Sequence, residues 1–291
     1  MEFFYILLGL CIGIFSGFFG IGGGFILTPV LILFGIPPLS AIGTSLMYSI
    51  GTSVSGVAAH LRFKNIIWKT AAVIGFVGVL ATQVAHPLVV WLEKMGYDDT
   101  IIPVFYILLL AYFALSLLYK QSKHNKSNES DASPITFSYV RAGMIGFAGG
   151  FISTTLGVGG GFVMVPLLIS MMNFPSRKAV GTSLVSVFLI VTAGFITYAT
   201  TIQLDYKLGI LLILGALVGT QLGAKLTTIY SNEQIQKYLG ALYITILTSV
   251  VLKLLHFDKA GLGVIVLYVL TLLVLFMKET ISHTKRKTST S

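Results

Sequence analysis

Residues 13–46 read GIFSGFFGIGGGFILTPVLILFGIPPLSAIGTSL, and residues 150–184 read GFISTTLGVGGGFVMVPLLISMMNFPSRKAVGTSL. With a gap of one residue, 16 of the 34 positions agree. The agreement includes Ser16 with Ser153, Gly20 with Gly157, the run 22–25 with 159–162, Pro29 with Pro166, and the GTSL run 43–46 with 181–184. The register continues downstream, where Lys69 pairs with Lys207 and Thr82-Gln83 with Thr220-Gln221. The chain is therefore built from two homologous halves. In each half a glycine run precedes an apolar segment of only 11 residues, 25–35 or 162–172. At about 1.5 Å per residue, such a segment reaches about half the depth of a bilayer.

The flanking apolar runs are longer. They cover 3–19, 41–61, 66–92 and 101–119 in the first half, and 139–156, 179–201, 208–228 and 235–255 in the second, with a further run at 261–277. Most have the length that spans a bilayer as a helix. Over the 291 residues, 55% are hydrophobic and 10% charged, with mean hydropathy +0.92. Soluble domains carry about 25% charged residues, so a soluble enzyme and a disordered chain are both excluded. The net charge of +9 comes from residues lying between apolar runs. It reads as loop lysines and arginines biased to one side of a membrane rather than a nucleic-acid stripe. Cys11, the single cysteine, cannot form an internal disulfide. The first run has Glu2 as its one charge and no clear cleavage site, so it is not read as a removable signal peptide.

Parity decides how the halves are related. If each short segment continues the preceding helix, each half crosses four times and the halves are parallel. If each short segment turns back as a re-entrant hairpin, each half makes three net crossings and the halves are inverted. The inverted arrangement places fifteen of the nineteen basic residues in inside loops, and the parallel one only ten. The positive-inside rule prefers the inverted arrangement, with the N-terminus outside and the C-terminus in the cytoplasm. The expected fold is an all-α polytopic membrane protein of two inverted-topology repeats. Each repeat has a re-entrant broken-helix hairpin plus three spanning helices, and an extra C-terminal helix follows. The expected boundaries are 1–120 and 139–257 for the repeats, 121–138 for a polar cytoplasmic linker, and 258–291 for the last helix with its basic tail.

Inverted repeats with interrupted helices point to transporters whose site lies near the midplane. Glycine lets a chain turn sharply and lets a ligand or a second backbone come close. Gly22, Gly23 and Gly24, with Gly159, Gly160 and Gly161, would therefore sit at two hairpin turns. A half-helix beginning there presents its positive end to an anion. The alternative is close helix packing of GxxxG type. Thr44, Ser45, Thr182 and Ser183 sit where the next helix begins, and read either as N-caps or as hydroxyl donors to an oxyanion. Gln83 and Gln221 occupy matching mid-helix positions, as interhelical glue or as donors to sulfonate oxygens. His86 beside Pro87 is a proton-relay candidate whose counterpart is Ala224. His60 reads as an interface residue, and Trp68 and Trp91 as interface anchors. The core runs hold no Asp/Glu pair, His cluster or arginine-rich stretch. That weakens metal transport, voltage sensing and intramembrane hydrolysis. No metal and no cofactor is expected.

The doubled pattern G-x-G-G-G-F, then Pro, then A-x-G-T-S-L resembles the sulfite exporter TauE/SafE family over residues 3 to about 255. The resemblance implies a non-enzymatic permease of the cell membrane for sulfite, a sulfonate or a related organosulfur acid. It places the family pattern on Gly22–Gly24, Thr44, Ser45, Gly159–Gly161, Thr182 and Ser183. The expected partners are a small sulfur anion and the lipid bilayer, with no nucleic acid. A homodimer would fit the class, with no interface marked in the sequence. The rival readings are an anion channel using the same site and a non-transporting scaffold.

Overall fold

A computed structural model describes residues 2–97, 101–102, 104–112, 135–255 and 257–288. Lys120, Lys123, Lys126 and most of the expected linker lie outside the described residues. The first half contributes α1 (Glu2–Phe19), α2 (Gly24–Leu33), α3 (Pro38–Arg62) and α4 (Trp68–Lys94), with helix also over 101–102 and 104–112 (α5). The second half contributes α6 (Tyr139–Leu156), α7 (Gly161–Met172), α8 (Ser176–Ala199), α9 (Tyr206–Leu226) and α10 (Asn232–Leu254), and α11 (Asp258–Thr288) follows. Among the described residues, six helices are long and apolar enough to cross a membrane. The chain is an all-helical, polytopic membrane protein.

Two helix starts differ from the sequence expectation. The GTSL runs do not open their helices. Pro37 and Pro175 occupy the N-cap positions, so Thr44 and Thr182 lie in the second turn of α3 and α8. Proline suits a helix start because its missing N–H has no intrahelical partner there. The result is helices of 25 and 24 residues.

Glycines set the closest packing. Gly9, Gly13 and Gly17 of α1 face Leu212, Ala216 and Thr220 of α9, while Gly215, Gly219 and Gly223 of α9 face Ile6, Leu10 and Ile14 of α1. A Cβ at Gly9 or Gly215 would overlap a backbone carbonyl of the partner helix. Residue numbers rise together along both helices, so α1 and α9 run parallel. The second half repeats the pattern: Gly146 and Gly150 of α6 lie against Ile74 and Gly78 of α4. Small residues permit this approach, and in lipid the contact is held by dispersion forces.

The contacts also set the relation of α3 and α8. A Cβ on Gly56 of α3 would meet Leu184 of α8 at 2.8 Å, and one on Gly194 of α8 would meet Leu46 of α3 at 3.4 Å. Numbers rise on α3 as they fall on α8. The two equivalent helices are antiparallel, which is the relation inverted repeats require.

The chain also retraces its path beside α3. Gly17 O faces His60 Nε2 at 3.4 Å, Gly22 O accepts from Thr52 Oγ1 at 2.8 Å, and Gly24 N donates to Ser49 Oγ at 3.1 Å. Advancing from 17 to 24 thus moves backwards along α3 from 60 to 49. The short α2 is a turned-back half-helix. Its far end is held by Lys253 of α10, whose Nζ donates to Ile32 O at 3.3 Å. The last helix, α11, packs on α10 and α2 and closes over the end of α1, where the Phe276 ring lies 4.7 Å from that of Phe18.

Candidate functional site

The two glycine runs meet at the centre of the bundle. Each carries three residues of positive φ at equivalent places: Gly20, Gly22 and Gly23 at 71°, 80° and 76°, and Gly157, Gly159 and Gly160 at 69°, 75° and 71°. L-side chains rarely adopt that conformation, so the turn itself demands glycine. The fourth glycine of each run has another reason. A Cβ at Gly24 would overlap Gly157 O, and one at Gly161 would overlap Gly20 O. A Cβ on Gly22 would come within 3.6 Å of Gly159 Cα and 2.8 Å of Val187, halfway along α8. The tips therefore touch each other at mid-depth, and both are buried.

Paired aromatics lock the crossing. The rings of Phe25 and Phe162, first residues after the runs, stack with centroids 4.6 Å apart. Tyr106 of α5 donates its hydroxyl to Phe25 O at 2.9 Å, and Tyr243 of α10 donates to Phe162 O. These tyrosines reach equivalent carbonyls in the two halves, and the local alignment did not extend to them. A tyrosine whose hydroxyl finds a carbonyl is the arrangement expected of a buried phenol.

The GTSL hydroxyls divide in their roles. Ser183 Oγ donates to Gly20 O at 2.9 Å. The equivalent carbonyl, Gly157 O, accepts instead from Thr28 Oγ1 at 3.0 Å. Ser45 Oγ, the counterpart of Ser183, is fully buried and has no partner among the described residues. Thr182 Oγ1 accepts from Ile67 N at 3.1 Å, so it caps the start of α4 and not its own helix. Thr44 is buried within α3.

The structure does not bring the glutamines to the tips. Gln83 is exposed, with Nε2 donating to Thr82 Oγ1 at 3.3 Å, and Gln221 Nε2 donates to Ser55 O at 3.4 Å. His86 Nε2 lies 3.0 Å from Thr201 Oγ1, and its ring stands edge-on to Tyr198 at 4.8 Å. His60 is not an interface residue: it is fully buried. Asn65 Nδ2 donates to its Nδ1 at 3.3 Å, which leaves Nε2–H to face Gly17 O. Its counterpart, Tyr198, donates to Thr154 O at 2.9 Å, the carbonyl equivalent to that of Gly17. His60 therefore does a tyrosine's job, which a composition-based reading cannot see. Sequence reasoning also missed Ser49 and Thr52, whose hydroxyls hold the first tip. Their signal was the hydroxyl-rich run of α3, SLMYSIGTSVSG over residues 45–56.

The family described as Sulfite exporter TauE/SafE matches residues 5–254. The chain is 29% identical to the probable membrane transporter protein YjnA of Bacillus subtilis, over 81% of this chain and 94% of that protein. It is 31% identical to the probable membrane transporter protein YdhB of the same organism, over 77% and 89%. It is 32% identical to a probable membrane transporter protein of Methanocaldococcus jannaschii, over 67% and 71%. No solved structure matches the chain.

Proposed function

The chain belongs to the sulfite exporter TauE/SafE family, a family of membrane transporters, and on that premise we propose that it carries a small sulfur oxyanion, sulfite or a sulfonate, by alternating access between two hairpin tips. The observation that carries this reading is the meeting of the α2 and α7 N-termini at mid-depth, Gly24 against Gly157 O and Gly161 against Gly20 O. Each half-helix N-terminus bears roughly half a positive charge. Two of them attract an anion without a buried cationic side chain. Ser45, whose hydroxyl has no partner among the described residues, and Ser49, whose oxygen accepts from Gly24 N, supply hydrogen bonds to its oxygens. Thr52 and Ser183, which donate to Gly22 O and Gly20 O while the tips are closed, turn to the anion when the tips part. Thr44 and Thr182 lie one residue before Ser45 and Ser183 on the same helices, and Gln83 and Gln221 stand away from the tips.

The tips pack backbone to backbone, so an anion reaches this position only when they part. That favours a carrier over an open channel. The basic-residue distribution supports a cell-membrane orientation with the N-terminus outside and the C-terminus in the cytoplasm. With the inside negative, each anionic charge exported gains about 2.3 kcal/mol per 100 mV.

The test is flux of labelled sulfite and of a small sulfonate into proteoliposomes. Saturable flux with counterflow, competed by other sulfur oxyanions, is the expected result. Flux that neither saturates nor shows counterflow would replace the carrier by a channel. No flux of any sulfur oxyanion by folded protein would remove the substrate while leaving the family and the fold in place.

A further inference from the structure

Three buried hydroxyls lie where α1, α3 and α9 meet, and none has a hydrogen-bond partner among the described residues: Ser16 Oγ, Ser53 Oγ and Thr220 Oγ1. All three residues are fully buried. Ser53 lies on one stripe of α3 with Ser49, Gly56 and His60. The stripe's other members show where it points. Ser49 Oγ receives Gly24 N–H, a Cβ on Gly56 would meet Thr220 Cγ2 at 3.2 Å, and His60 Nε2 faces the carbonyl of Gly17, next to Ser16. On the other side, Gly17 itself lies against the Thr220 backbone. An unsatisfied buried hydroxyl costs about 1–3 kcal/mol, and three on helices packed against one another mark a junction that a further ligand would satisfy.

We propose that this junction binds one sodium ion. The ligands are neutral oxygens, the type a hard monovalent cation accepts. They lie along the C-terminal half of α1, whose end carries the negative pole of the helix dipole. Unwound backbone and half-helix C-termini hold sodium in transporters of interrupted-helix design. A proton is the poorer occupant, since both ring nitrogens of the neighbouring His60 are engaged, by Gly17 O and by Asn65. In the other half Ser153 Oγ and Thr154 Oγ1 are also without a partner among the described residues, but Val191 stands in place of Ser53, and Thr82 Oγ1, the counterpart of Thr220, donates to Val79 O at 2.7 Å, so the three-hydroxyl set is not repeated. The cation would lie one helix end away from the anion position at the α2 N-terminus, which couples the occupancy of the two.

Binding is measured on the purified full-length chain without any anionic substrate, so the result does not depend on the transported anion. Thermal melting in sodium chloride against choline chloride, and equilibrium binding of radioactive sodium, are the readouts. Saturable, sodium-dependent stabilisation is expected in the wild type and in Ser153→Ala. Ser53→Val, Ser16→Ala and Thr220→Val should each weaken sodium affinity at least 10-fold, whereas Thr220→Ser, which keeps the hydroxyl, should retain it. If Ser53→Val does not fold, the near-isosteric Thr220→Val against Thr220→Ser decides. Identical melting in the two salts, or sodium stabilisation untouched by all three hydroxyl deletions, overturns the proposal and leaves the hydroxyls to water.

Discussion

Helices α3 and α8 occupy equivalent places in the two halves, cross the same hairpin tips and run antiparallel, yet they carry different chemistry. Along α3 the inward positions include Ser45, Ser49, Thr52 and Ser53, and the matching positions of α8 are Ser183, Val187, Ile190 and Val191. The backbone contacts are shared almost atom for atom: Gly20 against Val180 Cα and Gly157 against Ile42 Cα would each place a Cβ at 2.7 Å. The hydroxyl contacts are not shared. Gly24 N has Ser49 Oγ to donate to, and Gly161 faces an α8 that has valine at the same position. The comparison separates two constraints. Closure of the tips is imposed on both halves by backbone sterics. Side-chain chemistry is free to differ between the halves, and the hydroxyls concentrate along α3.

The harshest way to break the comparison is at the shared backbone. Gly24→Ala and Gly161→Ala should be equally damaging, each forcing a methyl into the other tip's carbonyl. We expect a loss of about 3 kcal/mol or more, read as failure to purify a monodisperse protein. Tolerance of one and not the other would mean the halves are not equivalent at the tips.

A smaller effect separates Ser183 from Ser45. Ser183→Ala leaves Gly20 O without its donor and should cost about 1–2 kcal/mol of stability, visible as a lowered melting temperature. Ser45→Ala removes a hydroxyl with no partner among the described residues, so melting should hold while sulfur-anion flux falls several-fold. Equal melting shifts for both would remove the assigned asymmetry. Ser49→Val, which imports the α8 residue into α3, should cost about 1 kcal/mol and reduce flux, and the reverse change Val187→Ser should gain nothing.

The mildest expected change is His60→Gln. The amide keeps a nitrogen donor near Gly17 O, so flux and its pH profile should stay close to wild type. A displaced pH profile would make His60 a titrating participant.

Much of this arrangement was legible in the sequence, because the deciding signals are local. Two glycine runs, each before a segment too short to span, announce the hairpins, and the repeat announces that they come as a pair. The helix starts were misread because Thr and Ser in GTSL carry the residue types of an N-cap, while the proline six or seven positions earlier was the real boundary. Gln83 and Gln221 match in sequence, but position along a helix does not tell which way a side chain faces. The role of His60 was invisible for a similar reason: its equivalence to Tyr198 shows only when both are seen donating to matching carbonyls. The unpartnered hydroxyls at the α1–α3–α9 junction come from three separate stretches, and no spacing rule links them.

The glycine seam between α1 and α9 has a consequence in time. The groove cut by Gly9, Gly13 and Gly17 is filled by a helix encoded about 200 residues later. At about 5–20 residues per second of synthesis, α1 stays in the bilayer for roughly 10–40 s before its partner exists. The matching seam has no such delay, since α4 is already made when α6 emerges beside it. Helix α1 is therefore seated long after it enters the membrane, and whatever shelters its groove during that interval decides how much of the chain is assembled correctly.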